Sequence, residues 1–288
     1  MEAFKHPLEN PSFRLRCWYN YQLLKKEGHI ARIIETPSEV QDADVLVLMS
    51  FGEEEYQLAQ YMKSKNRKVI HDYTENIRGI EILEKTKKLC DYIVCCSTYL
   101  ADEERKVYKD RVTVIRDPLE EFPVTHNVIY ERDKLKVVWS GMGGNALLVE
   151  AAIKPVIESL GMEYVELSNR PESNILWDKE DWFLHMASCD ICICPQDHWA
   201  FPAKSNVKVT TAISLGLPVI CSPLQSYLEI IEDGKNGYLA FTLEDWGRYL
   251  LHLRSPDLRR IFVERIKQKI SNFYEVKYIY GQWKTLFR

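Results

Sequence analysis

LGLPVICSPLQSYLEIIEDGKNGYLAF, residues 215–241, is the stretch that decides the fold class. Its Gly-Leu-Pro-Val segment ends one helix and opens an apolar strand, because glycine is favoured just past a helix and proline cannot continue one. A serine-proline loop, a short helix, an Asp-Gly turn and a second apolar strand follow. A strand, a helix and a strand in this order predict a β-α-β unit of a parallel sheet.

Working outward, strand-length apolar runs alternate with helical patterns along almost the whole sequence. The runs are nearly continuous in apolar residues, which is typical of strands that are covered on both faces. The predicted strands cover 29–36, 42–50, 67–73, 91–96 and 111–117 in the first half, and 135–141, 163–169, 189–195, 217–223 and 237–241 in the second. Helices are predicted between them, at 14–27, 53–65, 77–90 and 98–107 in the first half, and Pro155 is expected to kink the first helix of the second half. Ser97 is expected to cap the helix that it precedes.

The length of 288 residues indicates two domains of ordinary size. The proline-bearing polar stretch 117–134 has the character of a linker. We therefore place an amino-terminal domain at 1–125, a carboxy-terminal domain at 126–270, and a final helix at 271–288.

Composition narrows the classes of function. The formal net charge is −4, whereas nucleic-acid coats and membrane-surface proteins usually carry a basic excess, although a local basic groove is compatible with this charge. No run approaches the roughly 18 apolar residues that a bilayer span requires. The eight cysteines lie mostly in apolar strand-like runs, which is typical of reduced, buried thiols and of a cytoplasmic protein. Metal ligation by Cys189, Cys192 and Cys194 is disfavoured, because no second cysteine pair of zinc-site spacing exists.

Two segments have the composition of a phosphate-binding site. Gly143, Gly144 and Asn145 follow a predicted strand and open a helix, where free N–H groups and small residues admit an anion. An unliganded turn is the alternative explanation. Lys204 and Lys208 stand four residues apart at the start of another predicted helix, where like charges repel and oppose the helix dipole. A diphosphate would relieve that repulsion; two solvated lysines are the alternative.

These segments resemble the donor domain of GT-B glycosyltransferases, in particular the retaining glycosyltransferase family 4 (group 1) enzymes. The similarity covers roughly 135–285 and rests on the G-L-P-V-I-x-S and E-I-I-E-D-G-K-N-G patterns and on K-S-N-x-K ahead of them. It implies an α/β fold of two Rossmann-like domains facing across a cleft, with a carboxy-terminal helix that crosses back to the first domain.

The same resemblance assigns candidate residues. The candidate donor-binding set is Gly143, Gly144, Asn145, Lys204, Ser205, Asn206, Lys208, Ser226, Tyr227 and Glu229, with the two lysines on the diphosphate. Ser168 and Asn169 are expected near the base, and Asp197 and His198 near the sugar. The family usually carries two glutamates eight residues apart, where this sequence has Ala203 and Thr211, so the ribose contact is not implied here.

The first half resembles the family less closely. Arg14 and Arg16 match an S-x-R-x-R opening of the first helix and join the donor-binding candidates, with ordinary surface arginines as the alternative. His71 and Asp72 close a predicted strand and could orient the acceptor hydroxyl or take its proton. A structural histidine is the alternative explanation for His71.

We therefore expect a hexosyl- or other glycosyltransferase. It would move a sugar from a nucleotide-diphosphate donor, with UDP- and GDP-sugars favoured, to a glycan, lipid-linked or other hydroxyl acceptor. The resemblance implies retention of configuration and no metal, and no other cofactor is expected. Two alternatives stay open: a non-catalytic GT-B-like partner protein, and a phage-type enzyme that glycosylates a nucleic-acid base, although nucleic acid is not the favoured acceptor. The donor sugar, the base, the acceptor and the oligomeric state do not follow from the residues.

Overall fold

The computed structural model describes residues 10–34, 40, 42–74, 77, 79–123, 131–176, 181–196 and 203–288. These residues form two compact units. The amino-terminal unit comprises residues 10–118, 203–205 and 276–288, and the carboxy-terminal unit comprises the described residues of 119–196 and 206–275. The units thus divide after residues 118 and 275, whereas the sequence placed the corresponding boundaries after 125 and 270.

The amino-terminal unit is a four-stranded parallel sheet in the order β1-β2-β3-β4 with helices around it. Its strands are β1 (Val45–Leu48), β2 (Lys68–Tyr73), β3 (Tyr92–Cys95) and β4 (Val112–Val114), and its helices are α1 (Tyr19–Lys26), α2 (Glu53–Ser64), α3 (Glu81–Leu89), α4 (Thr98–Tyr108) and α12 (Val276–Phe287). A π-helical turn, Phe13–Trp18, leads directly into α1. The predicted cap of α4 is confirmed, because the Ser97 hydroxyl accepts from the Leu100 N–H at 3.3 Å.

The last helix returns to this sheet, as the resemblance implies. Ile279 and Trp283 on α12 pack against Ile70, Val94 and Ile115. Burying a large apolar side chain contributes about 1.5–3 kcal/mol, so these contacts hold the helix firmly on the sheet.

The carboxy-terminal unit is a six-stranded sheet in the order β10-β9-β8-β5-β6-β7, parallel throughout. Its strands are β5 (Lys136–Ser140), β6 (Glu163–Ser168), β7 (Ile175–Leu176), β8 (Ile191–Cys194), β9 (Val219–Cys221) and β10 (Tyr238–Leu239). Its helices are α5 (Gly143–Ala152), α6 (Lys154–Ser159), α7 (Trp182–Ala187), α8 (Val207–Ser214), α9 (Gln225–Leu228), α10 (Leu243–His252) and α11 (Pro256–Tyr274). Apolar side chains cover both faces of the sheet and form two core clusters. Gly216 takes the left-handed conformation (φ 76°) just past α8, as the Gly-Leu-Pro-Val pattern predicts.

The expected strand over 29–36 is wrong for residues 29–34, which form no regular element; residues 35 and 36 lie outside the described part of the chain. Ile30 is 91% exposed, whereas Ile34 packs against the cluster that contains Val40 and Leu46. Of this run, Ile34 therefore covers the core without forming a strand, and Ile30 faces solvent. The predicted kink at Pro155 is present as a break, since α5 ends at Ala152 and α6 begins at Lys154.

Within the described residues, no helix combines the length and the apolar composition needed to cross a membrane.

Candidate donor-binding site

The glycine-rich loop of the carboxy-terminal unit lies where β5 ends and α5 begins, at the carboxyl edge of the sheet. Ligands of open parallel sheets bind outside this edge. Gly143 is the first residue of α5, and its N–H donates to the Asn169 side-chain carbonyl at 2.8 Å. A Cβ at Gly143 would lie 2.3 Å from Cγ of Arg170, so only glycine fits there, whereas Gly144 has open space around it. Asn145 is exposed in the first turn of α5.

Gly141 belongs to the same glycine-rich segment, but the predicted donor-binding set omitted it. Its N–H donates to the Leu167 carbonyl at 3.1 Å, which holds the loop against the end of β6. A Cβ at Gly141 would lie 2.4 Å from Cζ2 of Trp139 and 3.0 Å from Nζ of Lys208. Its place as the first glycine after the strand was the available signal. Its absent side chain lets the indole and the ammonium approach the loop.

Lys208 brings positive charge to this loop. It is the second residue of α8, and its Nζ lies 5.2 Å from the centroid of the Trp139 ring, within cation–π distance. The indole N–H of Trp139 is buried and has no hydrogen-bond partner among the described residues. The structure therefore joins two segments that the sequence singled out separately, the glycine loop and the lysine at the start of α8.

The other residues of the K-S-N-x-K motif divide between the units. Lys204 and Ser205 belong with Ala203 to the amino-terminal unit, and both are half-buried. Asn206 belongs to the carboxy-terminal unit and is fully buried, and its amide donates to the Tyr274 hydroxyl at 3.2 Å. Its side-chain carbonyl has no partner in the described part of the chain. This segment thus begins α8 with a buried polar anchor two residues before Lys208.

The loop after β6 supports the glycine loop. Ser168 is fully buried, and its hydroxyl donates to Glu166 Oε1 at 2.6 Å, so it supports the loop from the interior, and its predicted place near the base stays a prediction. Asn169 is exposed and accepts from the Gly143 N–H. Arg170 pairs with Glu150 at 2.8 Å, which fixes the stem that lies across Gly143. Asn169 is therefore the residue of this loop that is placed to contact a ligand.

The segment after β9, which contains α9, is mostly interior. Ser226 and Tyr227 are 0% and 1% exposed, and Tyr227 packs within the carboxy-terminal core. This burial raises the pKa of the Tyr227 hydroxyl well above its usual value. Ser226 and Tyr227 therefore lie in the packed interior, and their predicted donor contact stays a prediction. Glu229, by contrast, is half-buried.

In the amino-terminal unit, Arg16 and Asp72 form a buried pair. The Arg16 Nε donates to Asp72 Oδ2 at 2.8 Å, while its Nη1 donates to Asp117 at 2.9 Å and to the Ile115 carbonyl at 2.8 Å. Burial acts to lower the pKa of Arg16, but Asp72 and Asp117 outweigh it and raise the pKa. Arg16 thus meets the carboxylates of Asp72 and Asp117 in the interior. The donor contact of Arg16 and the acceptor contact of Asp72 stay predictions, and both require this buried pair to open. Arg14 is half-buried at the start of the same turn.

His71 is also interior, with 2% of its surface exposed. Burial and then the Lys87 charge lower its pKa to about 4, although the Ser50 backbone acts in the opposite direction. Neither ring nitrogen has a hydrogen-bond partner of good geometry among the described residues. His71 is thus a neutral interior ring packed edge-on against Tyr73, which fits a structural histidine. Asp197 and His198 lie outside the described residues.

The thiols are as the sequence indicated. The eight cysteines form no disulfide, and seven of them are buried. Burial raises the pKa of Cys189 to about 12. Within the described ranges no cluster of His, Cys, Asp and Glu side chains could hold a metal ion.

Comparison with known proteins shows which family the segment with this loop resembles. Residues 127–253 match the family model described as glycosyl transferases group 1, which is 127 of the 288 residues. No protein with a curated description matched the sequence.

Solved structures match over most of the chain. A glycosyltransferase from Rickettsia africae has a TM-score of 0.69 at 12% identity, with 99% of this chain and 95% of that chain covered. TarM from S. aureus, in complex with fondaparinux, alpha-GlcNAc-glycerol and UDP, has a TM-score of 0.64 at 13% identity, with 93% of this chain and 58% of that chain covered. HepE from Anabaena, in complex with UDP, has a TM-score of 0.61 at 11% identity, with 92% and 87% covered. The chain thus spans a little over half the length of TarM.

At these identities the structural matches establish the fold, and the family model identifies the segment that carries the glycine loop and Lys208. The chain has the GT-B fold, and its residues 127–253 match the family model described as glycosyl transferases group 1.

Proposed function

We propose that this protein is a glycosyltransferase that moves a sugar from a nucleotide-diphosphate donor to an acceptor hydroxyl. The observation that carries the proposal is the placement of the Lys208 ammonium beside Gly141, next to the first turn of α5. The family match of residues 127–253 supports it, since that segment contains the loop and the lysine.

The chemistry of sugar transfer explains why this placement matters. The bond between the anomeric carbon and the diphosphate oxygen breaks, and negative charge develops on the departing diphosphate. Preorganised positive charge and helix N-termini stabilise that charge most effectively where water is excluded. Lys208 supplies the charge, and α5 directs its positive dipole end to the same place. The ring face of Trp139 contacts the ammonium and orients it.

The finer parts of the proposal rest on this chemistry and on the family. We propose that the lysine and the helix dipole do the work that a divalent cation does in other transferases, so that transfer is metal-independent. Retention of the anomeric configuration follows from the family resemblance. Transfer assays with and without EDTA, followed by NMR of the product anomer, test the two points separately.

UDP is the first donor nucleotide to test, because TarM and HepE are both described in complex with it. GDP is the second. The carboxylates that usually hold the ribose are absent: Ala203 is 2% exposed and packs in the amino-terminal core, and Thr211 lies on α8. The ribose must therefore be held by other residues. Asn169 is the exposed candidate for contact with the base.

A non-catalytic relative is the second candidate function, and one observation favours it. Asp72, the acceptor-side carboxylate expected from the sequence, is committed to Arg16. A partner protein of this fold would keep such a pair and need no proton acceptor.

Ligand-dependent thermal stability separates the two candidates. The panel is UDP, GDP, ADP, CDP and dTDP on the wild type, on Lys208→Ala and on Lys134→Ala, which removes an exposed lysine elsewhere. A diphosphate at about 100 times its Kd stabilises the folded state by about 2.7 kcal/mol, a rise in melting temperature of roughly 5–10 °C. We expect one nucleotide to produce this rise in the wild type and in Lys134→Ala, and Lys208→Ala to lose it. No rise with any nucleotide at millimolar concentration would refute the donor site and favour the partner protein.

A further inference from the structure

The edge of the amino-terminal sheet at which its strands begin carries an excess of cations. Three short segments, 63–68, 88–91 and 109–111, lead into β2, β3 and β4. Together they hold seven cationic and two acidic residues, a net charge of +5 in a chain of net charge −4. The cations are Lys63, Lys65, Arg67, Lys68, Lys88, Lys109 and Arg111. We call these three segments the basal face.

Specific contacts hold the three segments together. Lys63 Nζ pairs with Asp91 Oδ1 at 2.7 Å, which joins the first segment to the second. Arg111 Nη1 donates to the Cys90 carbonyl at 2.9 Å, which joins the second to the third. Asp42 and Asp44 precede β1 at one end of the edge, so the positive charge is concentrated below β2 to β4.

Three of these cations have no compensating carboxylate. Lys65, Lys88 and Lys109 are exposed, and no acidic side chain of the described residues lies within ion-pair distance of them. Cations in the last turn of a helix are favoured by its dipole, which accounts for part of the pattern. Lys68 likewise donates to the Leu286 carbonyl at the end of α12, at 2.8 Å, so the excess available to a partner rests on Lys65, Lys88 and Lys109. Such a concentration of charge attracts a polyanionic surface.

Exposed apolar side chains are set among the cations. Tyr61 is 37% exposed, and Lys65 Nζ lies 5.9 Å from its ring centroid. Val107 is 64% exposed, two residues before Lys109. An amphipathic aromatic ring and an aliphatic side chain between lysines fit the interface of an anionic bilayer, where both kinds of contact are favourable. The phosphate backbone of a nucleic acid would use only the cations.

We propose that the basal face docks this protein onto an anionic lipid surface. The binding is electrostatic, assisted by shallow burial of Tyr61 and Val107. Because the strands are parallel, this edge is opposite the carboxyl edge of the same sheet, where Asp72 lies. Docking therefore leaves that carboxyl edge uncovered. The net charge of the whole chain does not oppose it, since the interaction decays within a Debye length of about 10 Å.

Vesicle co-sedimentation tests the proposal without any transfer reaction. The probes are vesicles of equal parts phosphatidylglycerol and phosphatidylcholine, vesicles of phosphatidylcholine alone, and a short DNA duplex. The test variant is Lys65→Gln/Lys88→Gln/Lys109→Gln. The control variant, Lys134→Gln/Lys235→Gln/Arg260→Gln, makes the same change in net charge at exposed positions of the carboxy-terminal unit. Each cation near an anionic leaflet strengthens binding about fivefold, so the test variant should bind anionic vesicles about 100-fold more weakly.

A second variant separates lipid from other polyanions. Tyr61→Ser/Val107→Ser keeps every cation, so it should weaken vesicle binding and leave any duplex binding unchanged. Equal binding of the wild type to neutral and anionic vesicles, or equal losses in the test and control variants, would overturn the proposal. Binding to the duplex alone, lost in the test variant, would overturn it in favour of a nucleic-acid partner.

Discussion

Replacing Gly141 by alanine is the sharpest perturbation of the candidate site. The new methyl group would lie 2.4 Å from Cζ2 and 2.8 Å from Cη2 of Trp139, and 3.0 Å from Nζ of Lys208. The lysine head can move, because it is the end of a flexible side chain. The indole cannot move easily, because it is 1% exposed and packs among the residues of the carboxy-terminal core.

The expected loss of folding free energy follows from the fixed position of the indole. Adding a methyl group to a packed region costs about 1–3 kcal/mol, because neighbouring side chains leave their rotamers or the backbone shifts. That corresponds to a fall in melting temperature of roughly 2–12 °C. Gly144→Ala is the matched control, since nothing lies within 4 Å of its added Cβ. There the gain in helix propensity should stabilise the protein by about 0.5–1 kcal/mol.

Two assays check that Gly141→Ala lowers the stability of the protein whereas Gly144→Ala raises it. Urea denaturation measures the free energy of unfolding of both variants, and UDP titration followed by thermal shift measures the donor site. Gly141→Ala should be destabilised and should lose affinity, because the ammonium is displaced from its position over the indole. Equal unfolding free energies for the two variants would refute the close approach of Trp139 to the loop. Unchanged UDP affinity in a destabilised Gly141→Ala would refute the role given to Lys208.

Three further predictions concern the amino-terminal unit. Arg16→Met leaves two buried carboxylates without their cation and should lower the free energy of unfolding, measured by urea denaturation, by about 3–5 kcal/mol. The control Arg105→Met, whose pair with Asp102 is exposed, should lower it by less than about 1 kcal/mol. Similar losses in the two variants would contradict the buried network. The pKa of His71 is about 4 in the folded state, against 6.5 for an unperturbed histidine. The folded state therefore favours the neutral ring, and the resulting contribution to the free energy of unfolding, up to about 3 kcal/mol, is present above pH 6.5 and is lost as the pH falls towards 4. His71→Leu should therefore flatten the pH profile of the unfolding free energy over that window, and parallel profiles would show that the ring is not buried as described. Ser97→Ala should cost about 1 kcal/mol in urea denaturation, and no loss would mean that the α4 cap is dispensable.

The sequence predicted the elements better than it predicted which polar residues are interior. The strand periodicity and the Gly-Leu-Pro-Val pattern depend on local chemistry, and the two parallel sheets follow from them. Arg16 and Asp72 could not be paired from sequence, because they are 56 positions apart and meet only once β2 lies beside the first helix. Ser168 and Tyr227 match the family motif, but motif position does not reveal that a hydroxyl faces inward. Gly141 was missed for the converse reason, since the constraint comes from Trp139 and from Lys208 on another element.

The two sheets use the charged residues at their carboxyl edges in opposite ways. In the amino-terminal unit, Arg16 and Asp72 neutralise each other in the interior. The Arg16 guanidinium thereby holds the first helix against the strands. In the carboxy-terminal unit, the Lys208 ammonium lies 5.2 Å from the centroid of the Trp139 ring and beside Gly141, at the edge of the sheet where ligands bind. Arg16 is enclosed with its two carboxylates in the interior, whereas Lys208 is half-buried at the glycine loop, where a ligand can reach it. The nucleotide-diphosphate site should therefore be sought in the carboxy-terminal unit, and Lys208 is the first residue to replace.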